Sequence, residues 1–198
     1  MDEEPMITKD ILNKYTEPHR FYHNLGHIGY MIQAIDRTKE YLDFELTTRD
    51  REILMEAIIY HDVIYNIRNE DDISNEQKSA DYYAEHAPIF EQQVYDMILA
   101  SEHHFTENEY DELTSYFLDL DLSNLFLENW NSVYLTDVAI RKEYMSKIDS
   151  SIVMDGRRKF ILNTLSPNIR IRSLKNELFE KKLSENIQCL KNMYGGDN

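Results

Sequence analysis

Cysteine occurs once in this chain, at Cys189, so no internal disulfide can form and no cysteine set exists for a structural zinc knuckle; a reducing compartment is expected. Glycine and proline are also scarce, 5 and 4 residues, which argues against collagen-like, linker-rich or many-turned all-β chains. No apolar run approaches the ~20 residues of a membrane span. The best, AIIYHDVIY, is interrupted by His61 and Asp62. The opening MDEEPMITKDIL lacks both the basic and the apolar region of a secretory signal, so the expected location is the cytoplasm, away from any membrane. Positive charge is short: 21 basic residues face 37 acidic ones, a net charge of -16. The average surface therefore repels duplex nucleic acid and anionic lipid, and any phosphate-bearing ligand needs a local positive centre.

Against these absences stands a hydrophobic fraction of 42%, enough for one globular domain over residues 1–198. Apolar residues recur at helical spacing over 28–42, as Ile28, Met31, Ile32, Ile35 and Leu42. A second helix is expected from a cap at Thr47 or Thr48 through Ile53, Leu54, Ala57 and Ile58 to His61-Asp62. A third follows over 78–86 and ends at Pro88; a fourth carries Val94, Met97 and Ile98 towards His103-His104. The stretch FLDLDLSNL alternates like a strand, but its neighbours are helical and helix is expected there too. Residues 156–165 give a further helical stretch broken by Pro167, and 172–194 a closing amphipathic helix, with the GGDN end fraying. The four-residue NEDD cluster is expected to be a solvated loop. The predicted fold is an all-α, single-domain helical bundle, with the residues able to do chemistry in 20–125 and the helices of 126–194 completing it.

His23, His27, His61, His103 and His104, with Asp62, Asp119 and Asp121, all precede residue 122. His61-Asp62 ends an apolar helix face, where an unpaired carboxylate is costly to bury. Asp119 and Asp121 lie within an apolar run and need partners or a cation for the same reason. Imidazole and carboxylate donors together suit Mn, Mg, Fe, Co, Ni or Zn, and composition does not choose among these divalent ions. Phe21, Tyr22, Tyr60 and Tyr65 lie near these groups and could stack a nucleobase, although tyrosines of a helical core would look the same.

A histidine, then His-Asp on a second helix, then a later aspartate is the residue order of the HD-domain metal-dependent phosphohydrolases. The series EPHRFYHNLGHI, AIIYHDVIYN, NEQKSA, SEHH, FLDLDLS, IRKEY and GRRKF, spread over 15–193, resembles the small single-domain group of predicted HD phosphohydrolases. The resemblance implies an HD-type bundle with one divalent metal in its middle, held by His27, His61, Asp62 and Asp121. Asp121 is preferred over Asp119 because a short helical stretch, DLSNL, follows it. Many nucleotide-cleaving members carry a glutamate three residues after the His-Asp pair; this chain has Tyr65 there. Glu76 is the expected substitute as proton donor, with His104 beside it, and Asp62 is expected both to bind the metal and to align the attacking water. His23, His103 and His104 become candidates for a second metal or a phosphate contact, and Arg20, Lys78, Arg141 and Arg157 for cationic clamps on the substrate.

The implied reaction is hydrolysis of a phosphoester or phosphoanhydride of a small molecule, by family analogy a nucleotide. Other readings are a phosphodiesterase on a cyclic or linear dinucleotide, which a second metal would support, and a non-catalytic metal- or nucleotide-binding module, which the missing glutamate would favour. A homodimer is compatible with any of them.

Overall fold

The computed structural model describes residues 7–68 and 71–195. The acidic start at 1–6, half of the NEDD cluster at 69–70 and all but the first residue of GGDN, at 196–198, lie outside the described residues. The described chain is helical throughout, with a single isolated bridge between Leu42 and Leu174. The helices are α1 (Lys9–Tyr15), α2 (Leu25–Thr38), α3 (Thr48–Tyr60), α4 (Asn75–His86), α5 (Gln92–Ala100), α6 (Glu112–Asp121), α7 (Asn124–Leu127), α8 (Trp130–Met145), α9 (Ser150–Lys159), the short α10 (Ser166–Asn168) and α11 (Glu177–Gly195). Helices α2, α3 and α6 contact one another pairwise and form the centre. The α4–α5 pair covers α3 on one side, while α8 packs on α9 and α11 on α7 and α8.

Local chemistry explains where these helices begin. Thr47 and Asp50 close a reciprocal capping box at the start of α3, and Ser74, Asp111 and Asn129 cap α4, α6 and α8 with their side-chain oxygens. At α2 the Asn24 carboxamide accepts from the Gly26 N–H, and a Cβ at residue 26 would sit only 2.9 Å from that oxygen. Glycine is thus required where the chain turns into the helix that carries His27.

The expected strand-like stretch is indeed helix: α6 runs to Asp121, and Leu122–Ser123 break it before α7. Several expectations need correction. The helix expected from Lys78 starts at Asn75, capped by Ser74, so the last three residues of the expected loop RNEDDISNEQ are helical, and the stretch expected from 156 starts at Ser150, capped by Asp149. Pro167 does not end the preceding helix; the chain first widens into a π turn over Phe160–Leu165, where the Ser166 N–H reaches the Ile161 carbonyl, and stays helical through Asn168. A proline at the first turn of α10 needs no donor, so the cost of its missing N–H is avoided. The closing helix starts at Glu177, not 172, because the backbone just before it is used elsewhere.

That use is the strap over residues 170–175. Asp119, 2% exposed, accepts the Arg172 N–H (2.8 Å), the Ser173 N–H (2.8 Å) and the Ser173 hydroxyl (2.7 Å). Burial pushes its carboxyl above the usual range, and these donors oppose that rise. The Arg172 guanidinium in turn donates to the carbonyls of His104, Thr106 and Asn108, so the strap also holds the loop after α5. Asp119 therefore fixes the chain around the site and leaves Asp121 to line it. Replacing Asp119 with Ala leaves two backbone donors short of a partner, at about 1–3 kcal/mol each where they stay dry. The expected result is a lower Tm by roughly 2–4 °C per kcal/mol, with new tryptic cleavage at Arg170, Arg172 or Lys175, measured by thermal denaturation and limited proteolysis.

Candidate metal centre

Three helix ends meet at one point. His27 comes from the first turn of α2, His61 and Asp62 follow the last residue of α3, and Asp121 closes α6. His27 is 6% and His61 2% exposed. His61 Nδ1–H donates to the Ile58 carbonyl at 2.9 Å, which leaves Nε2 with its lone pair. That Nε2, and Nε2 of His27, are buried without a hydrogen-bond partner. Yet carboxylate oxygens stand close by: Asp121 Oδ1 is 2.9 Å from His27 Nε2 and 3.7 Å from His61 Nε2, and Asp62 Oδ2 is 3.1 Å from His61 Nε2 and 3.9 Å from His27 Nε2. The donor atoms of His27, His61 and Asp121 lie within 4.8 Å of one another.

Buried imidazole nitrogens that face carboxylates without hydrogen-bond alignment are what a cation between them would explain. Nitrogen lone pairs and oxygens converge on one point, so the group could hold a metal ion. The electrostatics agree. Burial pushes the carboxyl of Asp62 up, but His61 and His23 and then His27 pull it well below the usual range; Asp121 is likewise lowered by His104, His27 and His61 against its burial. Burial disfavours charge on His61, yet Asp62 and Asp121 outweigh it and raise its pKa. The site without an ion is thus negative enough to draw a proton onto an imidazole, and a divalent ion would take that proton's place.

A cavity of about 720 Å³ opens from this point. It is lined by His61, Asp62 and Asp121, and also by His23, Glu76, His104, Arg141 and Arg157. Glu76 is half-buried, and its carboxyl is raised by that burial and by Asp62. His104 Nε2–H donates to Asp121 Oδ2 at 2.8 Å, so it orients the carboxylate, and its Nδ1 is buried with no partner.

The remaining candidates stand elsewhere. Arg20 is buried and spent on the main chain: it donates to the carbonyls of Asp62 (2.6 Å), Val63 (3.0 Å) and His23 (3.1 Å) and to the Glu17 carboxylate. It locks the turn that presents Asp62 and is no substrate clamp. Lys78 pairs with Asp71 at 2.6 Å, and neither it nor the exposed His103 lines the cavity. With His103 outside, the three histidines expected to hold a second metal are not assembled.

His23 has a partner that lies within the IRKEY motif but was not among the candidate residues. Glu143, from α8, is fully buried, and its Oε1 lies 2.5 Å from His23 Nδ1 while Oε2 accepts the N–H groups of Tyr22 and His23. The His23 ring stacks on Tyr65 with centroids 3.9 Å apart. Burial works against charge on His23, but Asp62 and Glu143 prevail and raise its pKa. Tyr65 therefore serves as the platform beneath His23. Tyr22 lines the cavity too, and its hydroxyl is held protonated by burial and by Asp121 and Asp62. Phe21 lies on the surface, packed beside Lys142, and Tyr60 is in the core. Asp137 and Arg141, one helical turn apart, form an ion pair whose i,i+4 spacing was visible in the sequence; Glu143 is 120 residues from its partner and left no such signal.

Comparison with family models, curated proteins and solved structures finds no match to this chain. The chemistry of the site is therefore read from its own residues.

Two outcomes follow for metal binding. Adding Mn or Zn to chelator-treated protein should raise Tm, with about 2.7 kcal/mol of added stability at a hundredfold excess over Kd, and His61→Ala or His27→Ala should remove the effect. His104→Ala should keep metal binding but weaken it by about 10–100-fold, as read by competitive chelator titration.

Proposed function

We propose that this chain is a metal-dependent phosphohydrolase that cleaves a phosphoester or phosphoanhydride of a small molecule, in keeping with the resemblance of its motifs to the HD phosphohydrolases. The observation that carries this reading is the pair of buried, partnerless imidazole nitrogens facing two carboxylates beside a cavity that also presents arginines. His27, His61 and Asp121 would hold the ion, with Asp62 beside them as fourth donor. A bound divalent ion would supply Lewis-acid polarisation of the phosphoryl group and a water acidified to a pKa of about 7.

The chain's own residues divide the remaining work. Asp62 accepts a hydrogen bond from the attacking water and aligns it, while its main-chain carbonyl is held by Arg20. His104 keeps Asp121 in place. With Nδ1 of His23 engaged by Glu143, Nε2 is the atom left for the cavity, where a protonated imidazole can give its proton to the leaving oxygen. Glu76, raised by burial, is the second group able to hold a proton there. Of the two, His23 has the better support, because Glu143 and Tyr65 fix its ring from two sides and Glu76 has no such frame. A non-catalytic metal-binding module is the second reading, favoured by Tyr65 in the position where many nucleotide-cleaving members carry an acid. The two-metal phosphodiesterase reading loses ground with His103 on the surface.

Metal-loaded protein should release phosphate from small phosphate esters, and Asp62→Ala or Asp121→Asn should abolish release. His23→Gln should lower kcat by about 10²-fold or more and remove the basic limb of the pH profile, since a group that acts as an acid is lost as pH rises through its raised pKa. Glu76→Gln should cost far less. Equal losses from both variants would move the acid to Glu76, and metal binding without turnover on any ester would favour the non-catalytic module.

A further inference from the structure

The metal centre occupies one end of the cavity; the other end is built by α8, α9 and α11. There Asp137, 1% exposed, accepts Arg141 Nε at 2.9 Å, Arg157 Nε at 2.8 Å and the Tyr194 hydroxyl at 2.7 Å. Each guanidinium is thus tethered through Nε, and Arg157 also stacks over Phe160 at 5.1 Å. Among the described residues no acceptor takes the terminal nitrogens of Arg157, which lines the cavity. A guanidinium fixed by its Nε and a ring, with its outer fork open, is pre-oriented for one oxyanion. Tyr22 lines the same cavity as Asp121 and Arg157.

Charge sets the size of that anion. Two guanidinium groups share one buried carboxylate, so the pair carries a single net positive charge. Among the described residues no lysine lines the cavity, and Glu76 and Glu102 add negative charge. With Asp62 and Asp121 balanced by a divalent ion and His23 protonated, the formal charges of the rest of the lining cancel. A triphosphate chain would bring three or four more negative charges into the same space without a cation to meet them. The helices that carry the arginines also give the cavity apolar lining, from Val133, Ile140, Ile152, Val153 and Leu190, beside the hydroxyls of Thr136 and Tyr144, and the cavity has the volume of a site for a drug-sized ligand.

We propose that the substrate is a phosphate monoester whose organic part is apolar, an aryl or alkyl group, with the phosphate between the metal centre and Arg157 and the organic part against this apolar lining. The inference rests on the phosphohydrolase reading and narrows it, away from a nucleoside triphosphate. In the reaction the oxygen of water bonds to phosphorus as the bond to the ester oxygen breaks, and that oxygen takes a proton to leave as an alcohol or phenol.

Non-cleavable phosphonates separate binding from turnover. Calorimetry on the Mn-loaded full chain would compare 1-naphthylmethylphosphonate, methylphosphonate, a nucleoside 5′-phosphonate and a non-hydrolysable nucleoside triphosphate. The naphthyl compound should bind at least roughly tenfold tighter than methylphosphonate, as extra apolar contact in a hydrophobic pocket implies. It should also bind more tightly than either nucleotide analogue. Arg157→Gln should weaken both simple phosphonates by about tenfold or more, through loss of a charge-assisted contact. Ile152→Ser, at a position 63% exposed and so harmless to folding, should weaken only the naphthyl compound. Tightest binding by either nucleotide analogue, or no binding of any phosphonate, overturns the inference. Apolar preference with no release of phosphate from 1-naphthyl phosphate would uphold the cavity assignment and overturn the hydrolase reading instead.

Discussion

Two carboxylates and two imidazoles held together beneath the surface need a positive charge among them, and the arrangement of the centre follows from that need. Asp62 and Asp121 cannot remain ionised beneath the surface without compensation, and burying an uncompensated carboxylate costs several kcal/mol even after relaxation. The protein concentrates these groups at the meeting point of α2, α3 and α6, where backbone carbonyl ends and a helix start lie side by side. Arg20, Asp119 and His104 then work at one remove. The first grips the turn after α3, the second straps residues 172–173 over α6, and the third orients Asp121. None of the three needs to touch a ligand to be required for one.

The same logic of charge repeats on a smaller scale at the other end of the cavity. Asp137 is buried because two arginines and a tyrosine satisfy it, and the arginines stay in place because Asp137 is there. Glu143 and His23 form a third such pair, between α8 and the segment before α2. The Glu143–His23 pair joins α8 to the site, and the C-terminal helices supply Asp137, Arg141 and Arg157 as well as apolar lining of the cavity. Although the chain is acidic overall, with a net charge of -16, Arg141 and Arg157 line the cavity. No helix among the described residues is long and apolar enough to cross a membrane.

The all-helical architecture was legible in the sequence because helical periodicity and capping residues are local signals. The ends of α3, α4 and α6 follow from Thr47, Ser74 and Asp111, each within three residues of the N–H it caps. The residues of the candidate metal site were legible for a different reason: a His-Asp pair on an apolar face and two aspartates in an apolar run conflict with burial unless something resolves the conflict. What periodicity could not show was which aspartate faces inward. Asp119 and Asp121 differ by two positions on one helix, and their environments differ because a segment from more than fifty residues downstream crosses over Asp119.

The sequence by itself determined the all-helical class, the clustering of the titratable groups and the scarcity of cations. Only the tertiary structure decided the partners. It turned Arg20 from a substrate clamp into a brace, put His103 and Lys78 outside the cavity, and joined His23 to Glu143 and Arg157 to Asp137. The physical reason is range: helix formation is read from neighbours three or four residues apart, whereas a buried charge finds its counter-charge through packing, and the pairs that matter here span 20 to 120 residues.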